Sequence, residues 1–183
     1  MSDRRHYQHW LTPPKAQLPA SLADWLQNTG SLTVKLKAHS QQAFSVQLLS
    51  SGWQKPTFDE ALALRIDRRQ QVFCREVCLL DGNQPRVFAR TVVPLRSYPV
   101  LRMGLSRLGN ASLGEWLFND PAVSRGPMQI SLLPSGHLLS RHACQAAELP
   151  AQALWARRSC FTLRGKALLV SEVFLPATKH HQW

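Results

Sequence analysis

Residues 72–93 read VFCREVCLLDGNQPRVFARTVV, and this stretch decides the fold. Two apolar-rich runs, Val72–Leu80 and Arg86–Val93, flank the turn sequence Asp81-Gly82-Asn83. An Asp-Gly pair favours a tight hairpin, because glycine adopts the positive φ that such turns require. The stretch therefore predicts an antiparallel β-hairpin whose second strand ends at Pro94.

The C-terminal part of the chain repeats this pattern. Residues 154–163 and 167–175 are rich in apolar residues, and Arg164-Gly165-Lys166 lies between them. Alternating apolar residues predict two more strands, at residues 44–48 and 128–132. Neighbouring strands joined by short turns form antiparallel sheets, so the predicted fold class is α+β with a single antiparallel sheet.

Short helices are predicted between these strands. One begins after Pro19, a second covers residues 31–38, and a third covers residues 100–108. Ser112 and Glu115 have the spacing of a capping box and predict the start of a fourth. The polar residues 135–152 predict only a helical turn, at residues 143–147.

The composition indicates one globular domain with an anionic partner. The chain has 183 residues, of which 44% are hydrophobic, and this is enough to bury a core without disulfides. We expect a single domain over residues 1–183, with an irregular segment at 1–17 and a frayed tail at 177–183. The 22 Lys and Arg residues exceed the 11 Asp and Glu residues and give a net charge of +11. Such an excess attracts anions.

Several classes of protein are disfavoured by the sequence. Apolar runs are too short for a membrane-spanning helix, and Arg4 and Arg5 are not followed by the apolar core of a secretion signal, so we expect a cytoplasmic protein. Cys74 and Cys78 are four residues apart, which is not the spacing of a zinc or redox pair. Phosphate-loop, dinucleotide and nucleic-acid-binding motifs are also missing from the sequence. We therefore expect no metal, no organic cofactor and no nucleic-acid partner.

Two charged residues occupy rows of apolar side chains in the predicted strands. Arg75 alternates with Phe73 and Val77, and Glu172 lies between Val170 and Phe174. A buried ion costs several kcal/mol unless it is paired or held for a ligand. Two interpretations follow. In one, the two residues form a structural salt bridge with each other or with neighbouring charges, for which the candidates are Glu76, Arg90 and Arg158. In the other, Arg75 binds a ligand carboxylate and Glu172 accepts a ligand hydroxyl hydrogen bond.

Five segments in order resemble the bacterial chorismate pyruvate-lyases. They are Arg75–Gly82, Ala89–Pro94, Ser112–Gly114 with Leu117-Phe118, Leu154–Ser159 and Gly165–Pro176. The resemblance extends from about Leu18 to Pro176. It implies a sheet of about six strands, with helices that cover an enclosed active site. It also implies the conversion of chorismate to 4-hydroxybenzoate and pyruvate, the first committed step towards ubiquinone in many bacteria.

The resemblance also assigns roles to individual residues. It places the family's ligand-binding arginine at Arg75, its active-site glutamate at Glu172 and its ligand-contacting leucine at Leu113. A methionine found in the lid of some members corresponds to Leu32. Leu113 begins a predicted helix, where a backbone N–H is available to a ligand, although without the resemblance a core leucine is the better explanation of the residue.

Chorismate carries two carboxylates, and its ring is one elimination step from aromaticity. An enzyme therefore has to hold the reactive conformer, exclude water and stabilise the departing oxygen, without a cofactor. We expect Arg75 to bind the ring carboxylate and Glu172 to face the ring hydroxyl or the migrating proton. For the second carboxylate the first candidate is Arg90, which shares an apolar face with Phe88. Arg157 and Arg158 are the alternatives.

A second function remains open at this point. The effector-sensing domains of some bacterial transcription regulators resemble the lyase fold and bind small ligands without catalysis. Such regulators carry a DNA-binding domain first, and we expect the segment before the first hairpin to be too short for one. We also expect a monomer. The positive charge either steers a dianionic substrate or favours transient contact with anionic membranes, where a prenyltransferase would take the product.

Overall fold

A computed structural model describes residues 10–11, 17–107, 113–176 and 183 of the chain. These residues form seven strands and six helices. The helices are α1 (Ala23–Leu26), α2 (Leu32–His39), α3 (Phe58–Leu64), α4 (Tyr98–Arg107), α5 (Leu113–Asn119) and α6 (Leu138–Ala146). The strands are β1 (Phe44–Gln54), β2 (Val72–Asp81), β3 (Gln84–Pro94), β4 (Val123–Arg125), β5 (Gln129–Leu133), β6 (Leu154–Leu163) and β7 (Lys166–Phe174).

One antiparallel sheet contains every one of these strands. Its order is β1-β2-β3-β7-β6-β4, and β5 also pairs with β6. Both predicted hairpins, β2–β3 and β6–β7, are confirmed. Gly82 and Gly165 occupy their turns with φ of 58° and 72°, which is the backbone region that favours glycine. The strand beyond the expected six is β4, whose three residues are too few to show an alternating pattern.

The helices differ from the sequence prediction at α3, which no predicted helix covers, and at α6. Helix α6 covers nine residues, so the expectation of a single helical turn at residues 143–147 was wrong. His137 caps the helix, because its Nδ1 accepts a hydrogen bond from the backbone N–H of Leu139 at 3.2 Å. The predicted capping box at Ser112 lies outside the described residues.

The strand register divides the buried charges between the two faces of the sheet. Cross-strand partners share a face, and Arg75 pairs with Thr91 while Glu172 pairs with Ala89 and Arg157. We call the side of these residues the inner face; helices α1, α2, α4 and α5 pack on it. Arg90 is the partner of Glu76 and points to the other side, the outer face, which α3 and α6 cover.

Candidate active site

A cavity lies between the inner face of the sheet and the helices α2 and α5. Its charged lining residues are Arg75, Arg125, Arg157 and Glu172. Leu32 and Thr33 of α2, together with Leu113 and Gly114 of α5, close its opposite side. The remaining lining residues are mostly apolar: Val77, Leu79, Ala89, Thr91, Leu117, Phe118, Phe161 and Val170. We refer to this space as the central cavity.

Arg75 reaches the central cavity from the middle of β2. Its side chain is only 5% exposed, and burial lowers the pKa of the guanidinium group below its ordinary value. Arginine remains charged even so. The strand holds a cation beside apolar side chains, which is an arrangement suited to a bound anion.

Glu172 is held by an arginine on the neighbouring strand. Nε of Arg157 donates to Oε2 of Glu172 at 2.5 Å, and the two residues face each other across β6 and β7. Nη1 of Arg157 also donates to the backbone carbonyls of Trp25 at 2.7 Å and Asn28 at 2.8 Å. Glu172 therefore has an ion-pair partner, and that partner is none of the residues that the salt-bridge interpretation named.

Arg90 lies on the outer face and does not line the central cavity. Its Nε donates to Oε1 of Glu60 at 2.7 Å, and its Nη1 donates to Oε1 of Glu76 at 2.8 Å. This geometry corrects the expectation that Arg90 is the second ligand cation. The cause is the register of the hairpin, which pairs Arg90 with Glu76 and not with Arg75. Arg158 is on the outer face too, where its Nη1 lies 3.2 Å from Oδ2 of Asp59.

The outer face is a structural ion-pair network. Burial raises the pKa of the Glu76 carboxyl, but hydrogen bonds from His142 and Arg90 outweigh it and lower that pKa to about 2. Burial also opposes ionisation of Asp59, yet its contacts with His137, Thr57 and Trp10 hold the pKa of Asp59 well below its usual range. These carboxylates are therefore ionised and paired beneath α3 and α6.

Arg125 is a site residue that the sequence analysis did not identify. It is the last residue of β4, opposite Phe161 on β6, and its side chain is half-buried. Burial lowers the pKa of Arg125 to about 10; the nearby carboxylate of Glu172 raises this pKa, and the smaller effect of the Arg157 charge lowers it. The sequence signal that could have found it is weak, because a three-residue strand before Gly126 and Pro127 shows no alternation.

Leu113 and Leu32 are the first residues of the two covering helices. Leu113 is buried, and at the first turn of a helix the backbone N–H groups have no intrahelical acceptor. Leu32 follows the cap Ser31, whose Oγ accepts from the N–H of Val34 at 3.4 Å. An ion pair between Lys37 and Glu115 joins α2 to α5 at the surface. The arrangement brings both leucines to the cavity of Arg75 and Glu172.

The described residues place no group of three His, Cys, Asp or Glu side chains where they could bind a metal ion. The cysteines that are described have free thiols, and burial raises the pKa of Cys74 and of Cys78 to about 12. Such thiols are poor nucleophiles at neutral pH. Within the described part of the chain, none of the helices has the length and apolar character needed to cross a membrane.

Cations outnumber carboxylates among the described residues that line this cavity, and this arrangement is suited to a small anionic molecule. A family model described as chorismate lyase matches residues 6–182. A protein of Aromatoleum aromaticum named "Probable chorismate pyruvate-lyase" is 39% identical over 180 residues, covering 96% of each chain. A protein of the same name from Methylobacillus flagellatus is 43% identical over 175 residues, covering 94% of this chain and 88% of the relative. The chain belongs to the chorismate lyase family, a family of lyases.

Solved structures with the same architecture include regulator domains. The effector domain of PhnF from Mycobacterium smegmatis matches with a TM-score of 0.54 at 17% identity, over 80% of this chain and 89% of that chain. A GntR-family transcriptional regulator from Enterococcus faecalis matches with a TM-score of 0.53 at 13% identity, over 75% and 93%. At these identities the likeness concerns the fold alone, and it confirms the predicted α+β fold class.

Proposed function

We propose that this protein eliminates pyruvate from chorismate and releases 4-hydroxybenzoate. The observation that carries the proposal is the meeting of Arg75 and Glu172 in one cavity that α2 and α5 cover. Family membership supplies chorismate as the substrate class. The cavity adds a chemical reason, since a dianion needs cations on more than one side and a wall that excludes water.

In this proposal Arg75 binds the ring carboxylate. A guanidinium group matches a carboxylate with two parallel hydrogen bonds, which also fixes the orientation of the ring. The backbone N–H of Leu113, at the first turn of α5 in the cavity lining, is a further donor in this proposal. Apolar contacts from Val77 and Leu117 then hold the ring edge between the sheet and α5.

Glu172 acts at the ring hydroxyl and the neighbouring ring proton. The reaction breaks the C–O bond between the ring and the enolpyruvyl group, and the adjacent ring carbon loses its proton as the ring becomes aromatic. The enolpyruvyl methylene carbon gains one proton, and pyruvate leaves. Arg157 orients the carboxylate of Glu172 by the hydrogen bond between them, and no step requires a metal ion or a redox cofactor.

The alternative function is ligand binding without catalysis, as in the effector domains that share the fold. The two functions differ in turnover. A lyase consumes chorismate and releases both products in equal amounts, whereas a sensing domain binds it unchanged. The family match over most of the chain supports catalysis, and the fold likeness supports only the architecture.

The cellular setting is also part of the proposal. The protein acts as a cytoplasmic monomer and supplies 4-hydroxybenzoate for ubiquinone synthesis, and nucleic acid is not a partner. The names of the relatives support the reaction, and the net charge of +11 supports an anionic substrate. Electrostatic attraction raises the rate at which a dianion reaches such a protein.

Transient contact with anionic membranes would use one particular surface. On α3 the side chains of Phe58 and Leu62 are 42% and 51% exposed, and the guanidinium of Arg68 lies 5.2 Å from the Phe58 ring centre. Arg65 and Arg69, which follow α3 in the chain, are exposed too. We call these five residues the α3 surface. Exposed apolar groups together with arginines are the combination that binds the interface of anionic lipids.

A further inference from the structure

The described lining of the central cavity contains three arginines, and one of them, Arg157, is paired with Glu172. Arg157 is engaged by Glu172 and by two backbone carbonyls, so its charge is already compensated. The two other arginines that the described lining contains are Arg75 and Arg125. Each carries one positive charge, and together they match the two negative charges of chorismate.

Arg125 has no ion-pair partner among the residues that the structure describes. Its Nε donates to Oγ of Ser159 at 3.1 Å, its Nη1 donates to the carbonyl of Thr29 at 2.7 Å, and its Nη2 reaches Sδ of Met128 at 3.5 Å. These acceptors are neutral, and thioether sulfur is a weak one. The guanidinium therefore has one poorly satisfied donor group and forms no ion pair with a described residue, although the charge of Glu172 acts on it from nearby.

Aromatic side chains fix the position of this guanidinium. Its carbon lies 5.4 Å from the ring centre of Phe118 and 5.2 Å from that of Phe161, and both rings line the central cavity. Burial lowers the pKa of Arg125 to about 10, and the nearby charge of Glu172 offsets this effect only in part. A half-buried, oriented and unpaired arginine at a cavity wall is costly unless a ligand supplies the missing negative charge.

We infer that Arg125 binds the enolpyruvyl carboxylate of the substrate, with Nη2 as the donor that exchanges Met128 for a carboxylate oxygen. The inference rests on the proposed function and extends it. Arg125 is then a specificity-determining residue, because the substrate carries this carboxylate and 4-hydroxybenzoate does not. Arg75 contacts a carboxylate that both molecules have, so the two arginines have separable effects.

The test compares substrate and product binding in the variants R125Q, R125K and R75K. For R125Q we expect KM for chorismate to rise by about 10- to 100-fold, the usual effect of losing a charged hydrogen bond. The Kd for 4-hydroxybenzoate, measured by calorimetry, should change less than about threefold, since a neutral phenol gains nothing from this cation. R75K should weaken the binding of both molecules.

An unchanged KM for chorismate in R125Q, or equal weakening of substrate and product, would overturn the assignment. R125K is the second variant, because it keeps the positive charge if R125Q fails to fold. It should show a smaller rise in KM with the same unchanged product binding. Failure of the proposed function is a separate result. In that case the unaltered protein itself forms no 4-hydroxybenzoate. If the unaltered protein is active but the Arg125 variants have the same KM for chorismate, only this inference is contradicted.

Discussion

Arg157 and Glu172 lie opposite each other on β6 and β7, and the Nε of Arg157 donates to Oε2 of Glu172 at 2.5 Å. Arg157 is also anchored to the carbonyls of Trp25, in α1, and Asn28, between α1 and α2. The arginine therefore keeps two acceptors when the glutamate loses its charge. This relationship allows the chemical role of Glu172 to be separated from its structural role.

We expect E172Q to lose activity with little loss of stability. Glutamine keeps the shape and can still accept from Arg157, but it cannot take or give a proton. The turnover of chorismate should fall by about two orders of magnitude or more. The free energy of unfolding should fall by about 1–2 kcal/mol, less than the 3–5 kcal/mol typical of a broken buried ion pair. Turnover assays and urea unfolding measure the two quantities.

E76Q is the matched control on the outer face. It removes one carboxylate from Arg90, which is 1% exposed, and should destabilise the protein by about 3–5 kcal/mol. Turnover per folded molecule should stay near normal, because the outer face does not contact the central cavity. If E172Q instead melted much earlier and retained its turnover, Glu172 would be a structural residue.

The two buried arginines of the central hairpin should respond differently to lysine. R75K keeps the charge but loses the planar fork, so we expect the binding of chorismate and of 4-hydroxybenzoate to weaken by about tenfold or more with the fold intact. R90K should destabilise the fold, because Arg90 bridges Glu60 and Glu76. Ligand titrations and thermal melts of both variants test this. Unaltered ligand affinity in R75K would remove Arg75 from the site.

Stability should fall in acid partly because of Glu76. Its pKa is lowered from 4.5 to about 2 in the folded protein. Its contribution to the free energy of unfolding is therefore complete above pH 4.5 and is lost as the pH falls towards 2. The free-energy difference between the unaltered protein and E76Q should therefore shrink by about 2 kcal/mol between pH 6 and pH 3. Urea unfolding at several pH values measures it. A difference that stays constant or grows in acid would contradict the assigned pairing.

The α3 surface should bind anionic vesicles in a salt-dependent way. We expect the protein to sediment with vesicles containing phosphatidylglycerol and not with pure phosphatidylcholine, and the binding to weaken at high salt. R68E/R69E should reduce sedimentation several-fold. R102E/R164E, which changes the charge equally at exposed positions away from α3, should reduce it less. Equal losses for the two double variants would mean that net charge, and not this surface, causes the binding.

The sequence predicted what depends on local pattern. Glycines in the turns and alternating apolar residues led to both hairpins, and the charged interruptions at Arg75 and Glu172 led to two residues that share the central cavity. The position of Arg90 was missed, because the residues around Gly82 do not determine the hairpin register to within one residue. A shift of one residue in register moves a side chain to the other face of the sheet. Arg125 was missed because β4 gains its order from pairing with β6 and not from its own residues. The length of α6 was missed because its polar residues mask the buried side.

The central claim is that the cavity of Arg75 and Glu172 converts chorismate. The most direct test is to incubate the purified protein with chorismate after dialysis against EDTA and to quantify the products over time. We predict that 4-hydroxybenzoate and pyruvate appear in equal amounts as chorismate disappears, and that E172Q forms them at about 1% of that rate or less. Chorismate that binds but remains intact, or turnover that returns only when a divalent ion is added, would contradict the account.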